Sequence, residues 1–273
     1  NDLCSRINVI DGCAVLQQLP WPKLGSIKDS CDLFVNYIFS HYKKFPDQHP
    51  HVIFDSYDVI TTKDQEQKRR RLNAPQSAEV IIHENFSIPS NKFDFLSNKK
   101  NKQNYILMLG KCLLEKNISV QHAGEEGDAD VVIVRLALEL ARRSKEIVTV
   151  ISEDTDILVL LIHHVSEEHP IFIQTKTNTI NIVEAQKVIG KSACELLPFV
   201  HAMSGCDTTS SFFGQGKLKA FKLLQKLSEV KKEKLRAFGN SETSKDDIRC
   251  IGEEFMLSLY GSKESIHTLD ELR

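Results

Sequence analysis

Short apolar runs alternate with amphipathic stretches over the first two thirds of the chain. Helical spacing of apolar residues predicts helices at 27–42, 103–116 and 130–143. Short runs rich in Val and Ile predict buried strands, and these lie at 7–15, 51–54, 118–121, 147–151 and 171–174. Residues 158–162 continue the apolar signal of the fourth strand, and His163-His164 is then expected at a strand terminus.

The alternation of strands and helices predicts an α/β fold with a mostly parallel sheet flanked by helices. Beyond Ile182 the pattern is mainly helical, so we expect a core over 1–210 and a helical C-terminal part over 211–273. A long polar stretch at 61–102 interrupts the core, and connections of that length are usually functional or disordered. At 273 residues and 41% hydrophobic composition, the chain can bury a full core.

Composition narrows the class of protein. The net charge of -2 does not by itself indicate a nucleic-acid partner, although basic runs occur at 68–71, at 99–102 and among the lysines of 217–234. Seven cysteines without a CxxC pair indicate reduced thiols and an intracellular protein, nuclear or cytoplasmic. No zinc-ligand spacing and no apolar stretch of membrane-spanning length is present, so we expect neither zinc nor a membrane partner. The start at Asn1, without Met, is what a trimmed fragment would show.

Acidic residues follow the apolar runs in five separate stretches. The carboxyl ends of parallel strands open onto one crevice, so carboxylates far apart in sequence are expected to converge there. Two such charges about 4 Å apart repel by roughly 4 kcal/mol at an effective dielectric of about 20. No Lys or Arg lies within the five stretches, and oxygen ligands favour Mg²⁺ or Mn²⁺ as the neutralising ion. The acids are Asp11, Asp55, Glu126 with Asp128, Asp154 with Asp156, and Asp207.

Two of these stretches hold acids spaced by two residues. In an extended chain Asp154 and Asp156 would point to one face, and Glu126 and Asp128 lie just ahead of a helix. Each pair alone is explained more simply as a solvated turn or a helix cap. Together, the acids suit two metal ions roughly 4 Å apart that activate a water and stabilise the leaving oxygen of a phosphodiester. The chain has no GxSxG, GxxxxGK[ST] or GxGxxG motif that would indicate other chemistry.

Taken in order, the motifs resemble those of the PIN-like 5′-nuclease superfamily, and in particular the flap endonucleases and XPG-type structure-specific nucleases of DNA repair. The matching stretches are Val9-Ile10-Asp11-Gly12, Ile53-Phe54-Asp55-Ser56, Glu126-Gly127-Asp128-Ala129, Ser152-Glu153-Asp154-Thr155-Asp156, Gly205-Cys206-Asp207-Thr208 and the glycine hairpin Gly214-Gln215-Gly216-Lys217-Leu218-Lys219-Ala220. The hairpin corresponds to a helix-two-turn-helix that grips duplex backbone, although a plain helix-connecting turn fits the same residues.

The resemblance implies a Mg²⁺- or Mn²⁺-dependent nuclease with two ions, acting on DNA that carries a single-strand/duplex junction such as a 5′-flap. It implies that residues 61–102 form an arch or gateway over the active site. It makes the seven acids metal ligands: Asp11, Asp55, Glu126, Asp128, Asp154, Asp156 and Asp207. It places Lys63, Arg69 and Arg70 at the scissile phosphate, and Lys68, Arg71, Gly214, Gly216, Lys217 and Lys219 against DNA.

Two other functions fit the same residues. A PIN-type ribonuclease would use the same chemistry on RNA, although the hairpin and the long insertion suit duplex junctions better. A nuclease-like protein without catalysis, serving as a nucleic-acid-binding or scaffold module, would fit the departures from the motifs at Gly127 and Gln215. Phe212 and Phe213 are expected to anchor the core near the hairpin rather than to stack on bases.

Overall fold

A six-stranded sheet organises the first part of the chain. The structure is a computed structural model that describes residues 6–43, 50–55, 77–124, 128–144, 146–206, 208–262 and 268–272. Within these ranges the strands are β1 (Arg6–Asp11), β2 (His51–Phe54), β3 (Ser119–His122), β4 (Ile147–Ile151), β5 (Ile171–Gln174) and β6 (Thr179–Asn181).

The sheet is mostly parallel, which confirms the predicted fold class. The strand order is β3-β2-β1-β4-β5-β6, and only β6 runs antiparallel to its neighbour. In the central strand β1, Val9 pairs with His51 on one side and with Val150 on the other. Val9 and Ile10 are both fully buried, because side chains alternate between two covered faces. A strand buried on both faces is a continuous apolar run, as this sequence shows.

Helices cover the sheet in the first part of the chain. Ile10, Val52 and Phe54 belong to the same buried cluster as residues of α2 and α4, while α5 lies against β1 and β4. None of the described helices is long and apolar enough to cross a membrane. The helices here are α1 (Gly12–Gln18), α2 (Ile27–Tyr42), α3 (Lys92–Ser97), α4 (Lys99–Glu115), α5 (Ala129–Arg143) and α6 (Thr155–His164).

The apolar run at 158–162 belongs to a helix, so the expectation that it continues the fourth strand is wrong. The strand β4 ends at Ile151, and α6 begins four residues later with Asp154 as its N-cap. The helix is apolar almost all round and its residues Ile157, Leu161 and Ile162 are buried, so its sequence lacks an amphipathic period. The pair His163-His164 accordingly ends a helix rather than a strand.

Part of the predicted arch packs on the body of the protein. Residues 61–76 lie outside the described residues. The segment that follows lies along the start of α2, where the Ile27 amide donates to the Phe86 carbonyl at 2.8 Å. Its Val80 amide donates to the Asn101 side chain on α4 at 2.9 Å. Whether 61–102 works as a gateway stays a prediction.

The chain divides into two compact units, Asn1–Val183 and Glu184–Arg273. The predicted boundary at residue 210 is a division by function and stays a prediction. The second unit is helical, as expected, and buries Leu196, Val200, Leu224 and Phe255 in one cluster. The remaining helices among the described residues are α7 (Ile182–Ile189), α8 (Lys191–Ser204), α9 (Lys217–Lys226), α10 (Glu229–Arg236), α11 (Lys245–Tyr260) and α12 (Leu269–Leu272), with a 3₁₀ turn at Ala237–Gly239.

The fully buried Asn101 on α4 binds Ala78 and Val80, which lie within the predicted arch. Its amide donates to the Ala78 carbonyl at 3.0 Å and its oxygen accepts from the Val80 amide. We expect Asn101→Ala to lower the free energy of unfolding by about 1–3 kcal/mol, since it leaves backbone groups unpaired. Urea unfolding measures this. The exposed Asn104→Ala on the same helix is the control, expected within about 0.5 kcal/mol of wild type. Equal losses in the two variants would contradict the assignment.

Candidate acidic site and helical hairpin

The central strand ends on a carboxylate that is almost fully buried. Asp11 is 9% exposed and is the N-cap of α1, where one oxygen accepts the Ala14 amide at 2.9 Å. Its other oxygen accepts the Ser152 hydroxyl at 3.0 Å, from the residue that follows β4. A Cβ at position 12 would collide with the Phe54 ring. Glycine at this position therefore lets α1 begin directly after the strand. The carboxyl ends of β1 and β4 are thereby joined through Asp11.

Two further acids lie within electrostatic range of Asp11. Burial raises the pKa of Asp11, and the charges of Asp55 and Asp154 raise the pKa further. Hydrogen bonds from the Ala14 amide and the Ser152 hydroxyl act in the opposite direction. The structure therefore brings three of the seven predicted acids, Asp11, Asp55 and Asp154, to the same edge of the sheet.

Asp154 and Asp156 do not lie in an extended chain, so the geometric reason given for their pairing is wrong. Asp154 is the N-cap of α6 and accepts the Asp156 amide at 2.8 Å, while its own amide donates to Ser152 Oγ at 3.1 Å. Asp156 lies in the first turn of the helix. The chain turns into α6 as soon as β4 ends, because the carboxylate of Asp154 satisfies an amide that the helix leaves free.

The start of α5 repeats this arrangement. Asp128 is the N-cap and accepts the Asp130 amide at 3.2 Å, and Asp130 is buried at 7% exposure in the first turn. Glu126 lies outside the described residues. Sequence reasoning selected Glu126 with Asp128 and passed over Asp130. A signal was present, because the resembling family has Ala between the two acids of this motif, and Ala129 stands between Asp128 and Asp130 whereas Gly127 stands between Glu126 and Asp128.

A lysine from α4 approaches the acids, although none lies within the acidic stretches themselves. Lys102 Nζ is 3.9 Å from a carboxylate oxygen of Asp55, and both side chains are about three-quarters buried, at 22% and 28% exposure. The charge of Lys102 also lowers the pKa of the Cys13 thiol, whereas the charges of Asp55 and Asp11 raise it. Burial raises the pKa of Cys13 to about 12, so this thiol stays protonated and is no nucleophile.

Metal binding at this edge stays a prediction. In the described ranges, no three His, Cys, Asp or Glu side chains are gathered closely enough to hold one metal ion. The donors fit a hard divalent ion in their chemistry, since carboxylate oxygens repel one another around the buried Asp11. Several predicted site residues lie outside the described residues, namely Glu126, Asp207, Lys63, Lys68, Arg69, Arg70 and Arg71.

The predicted glycine hairpin joins α8 and α9 in the second unit. Gly214 has φ +69°, a conformation that favours glycine, and Gly216 is the N-cap of α9 without a side-chain cap. Lys217 lies in the first turn, 3.1 Å from His201 Nδ1 on α8, and Lys219, two residues later, is exposed. Their contact with DNA stays a prediction.

Two residues beside the hairpin differ from expectation. Phe213 is 96% exposed and Phe212 38%, so they do not anchor the core as predicted. Gln215, which stands where the resembling family has an apolar residue, is buried instead, and its Oε1 finds no partner in the described part of the chain. Only the backbone amide of Gln215 is seen to stabilise the loop, by donating to the Phe212 carbonyl at 3.1 Å, in the described part of the chain.

Three solved structures from bacteriophage T5 share this architecture. The T5 D15 protein co-crystallised with metal ions has a TM-score of 0.56 at 12% identity, over 93% of this chain and 88% of that one. T5 flap endonuclease in a pseudo-enzyme–product complex with DNA and metal ions has a TM-score of 0.55 at 12% identity, over 94% and 86%. Zinc-bound T5 5′-exonuclease has a TM-score of 0.53 at 11% identity, over 94% and 87%.

The chain has a PIN-like fold of the flap-nuclease type. No protein-family model matches its sequence, and a comparison with curated proteins found no match. The resemblance drawn from the ordered acidic motifs is thus confirmed at the level of the fold, by shape rather than by overall sequence identity.

The buried acid of this flap-nuclease fold leads to a pH-dependent prediction. The pKa of Asp11 is raised above the ordinary value of 3.8, so native wild type binds this proton more tightly than the unfolded chain does. Its stability therefore falls as pH rises between these two pKa values and levels off above them. We expect Asp11→Asn, which keeps an oxygen for the Ala14 amide, to be more stable than wild type at pH 7 in EDTA. The gain should shrink as pH falls towards 3.8.

Urea unfolding at a series of pH values measures this difference. The matched control is Asp32→Asn on the exposed side of α2, which should show no gain. A lower stability of Asp11→Asn at pH 7 in EDTA would contradict the prediction.

Proposed function

We propose that the protein is a divalent-metal-dependent, structure-selective nuclease that hydrolyses phosphodiester bonds of DNA at 5′-flap or junction-like sites. The observation that carries the proposal is the buried carboxylate of Asp11, within electrostatic range of Asp55 and Asp154 at the carboxyl edge of the sheet. In a flap-nuclease fold, this edge is where ligands of an open α/β sheet are expected. Related T5 structures hold metal ions, and one of them holds DNA.

The proposed ligands begin with Asp11, Asp55 and Asp154. Asp154 uses one oxygen to cap its helix, which leaves its second oxygen available to an ion. We add Asp130 to the seven predicted ligands, because it is the buried acid of the α5 start. When bound, two Mg²⁺ or Mn²⁺ ions would supply an activated water and charge for the leaving oxygen.

Other residues of the chain orient the acids and neutralise part of their charge. The Ser152 hydroxyl holds one oxygen of Asp11 and accepts the Asp154 amide, which fixes two of the acids relative to each other. Lys102 brings a positive charge to the same edge, and we propose that it contacts the scissile phosphate, alongside Lys63, Arg69 and Arg70.

A second function is favoured by the ion pair between Lys102 and Asp55. The lysine already neutralises an acid that a metal ion would otherwise bind, as a nuclease-like binding module without catalysis would require. Calorimetric titration with Mn²⁺ separates the two, since the module predicts no saturable binding at millimolar metal.

Replacing one carboxylate without removing its cap tests catalysis. Asp154→Asn keeps an oxygen for the Asp156 amide, so we expect the fold to persist. Cleavage of a 5′-flap in Mg²⁺ should fall about a hundredfold or more, because a metal ligand supports several kcal/mol of transition-state stabilisation. Glu153→Gln is the control, since Glu153 is exposed and its carboxylate accepts the Lys176 amide instead. Equal cleavage by Asp154→Asn and wild type would refute the nuclease proposal.

Parallel digestion of DNA and RNA substrates tests whether the protein cuts DNA or RNA. We expect wild type to cut a DNA flap at least about tenfold faster than an RNA flap of the same sequence, because the A-form geometry of duplex RNA places its phosphates differently for a hairpin that grips duplex DNA. Rates are compared in one buffer at one salt concentration. Faster cleavage of the RNA would establish the ribonuclease instead.

A further inference from the structure

The loop between α8 and α9 presents an aromatic ring to solvent at a place where the backbone is held firmly. Thr209 Oγ1 donates to the Ala202 carbonyl at 2.7 Å at the start of the loop. Near its end the Tyr260 hydroxyl donates to the Phe213 carbonyl at 3.3 Å, and the Gln215 amide donates to the Phe212 carbonyl at 3.1 Å. Phe213 is therefore 96% exposed on an anchored backbone, with its ring excluded from the core.

The helix that follows this ring is strongly basic. In ten residues α9 carries Lys217, Lys219, Lys222 and Lys226 and no acid. Lys219 and Lys222 are exposed, and neither forms an ion pair with any other residue that the structure describes. Three residues separate Phe213 from Lys217, the first residue of α9, so the exposed ring is close along the chain to a positive helix. A polyanion with exposed apolar faces complements both.

Nucleic acid is the polymer that combines these two properties. Bases offer flat apolar faces to aromatic side chains, and phosphates attract lysines. Within a paired duplex both faces of each base are covered by its neighbours. A single ring such as Phe213 can therefore stack without first unstacking the duplex only where a base is unpaired or terminal. An acidic protein surface would match the lysines but would not call for a lone, exposed ring.

We propose that Phe213, with Lys219 and Lys222, forms a nucleic-acid contact in which the ring stacks on an unpaired base while the lysines bind the adjoining phosphates. This inference rests on the proposed function and adds a base contact to a hairpin otherwise expected to grip backbone alone. It makes the second unit itself a sensor of unpaired bases next to duplex.

The test compares two DNA duplexes of one sequence, fully paired or carrying one unpaired 2-aminopurine. Binding is measured by fluorescence anisotropy in EDTA, where no cleavage occurs. We expect Phe213→Ser to weaken binding of the unpaired-base duplex about tenfold and that of the paired duplex less than twofold. Wild type and Phe213→Trp should quench 2-aminopurine on binding, and Phe213→Ser should not. Lys219→Gln with Lys222→Gln should weaken both duplexes alike and lower the salt slope by about 2.

Phe39→Ser is the matched control, since Phe39 is a 47% exposed phenylalanine on α2, outside the predicted arch. It should leave both affinities unchanged. Equal loss on the two duplexes, or no loss on either, would overturn the base contact while wild-type flap cleavage keeps the nuclease proposal intact. Wild type that neither binds these duplexes nor cuts a flap would overturn both proposals.

Discussion

A carboxylate held out of water at the end of the central strand is the constraint on which the first unit depends. Removing a charged group from water is costly unless hydrogen bonds or opposite charges compensate. Asp11 receives the Ala14 amide and the Ser152 hydroxyl, and these bonds join β1, α1 and the end of β4. The same burial, next to Asp55 and Asp154, raises the pKa of Asp11 and leaves the site in need of positive charge. At Asp11, the stability of the fold and the proposed binding of metal therefore make opposite demands on the carboxylate.

Helix capping and the proposed metal binding would use the same side chains. Asp11, Asp128 and Asp154 each begin a helix, where free amides and the positive end of the helix dipole favour a carboxylate. Capping by Asp154 occupies one carboxylate oxygen and leaves the other available. The ordinary explanation of these acids as caps is thus correct, and it also describes how the fold holds acids in place for the proposed chemistry. Lys102 adds the opposite charge from a separate helix.

The hairpin shows a different balance between packing and recognition. A polar Gln215 is buried while two phenylalanines nearby remain exposed, the reverse of what hydrophobicity favours. The anchored loop between α8 and α9 explains how the protein maintains this arrangement, because hydrogen bonds from Thr209 and Tyr260 hold the backbone. The exposed ring just ahead of a basic helix is the surface feature on which the proposed base contact rests.

Local pattern determined the parallel α/β sheet, because buried parallel strands are continuous apolar runs, and it determined the order of acids that marks a flap-nuclease type of fold. It could not separate the helix α6 from a strand, since a helix buried all round lacks an amphipathic period. Nor could it show that Asp130 is buried or find Lys102 beside Asp55, because burial and contacts between distant residues arise only on packing. Tertiary structure alone also decided that Phe213 is exposed, since exposure depends on where the loop is held and not on the residue itself.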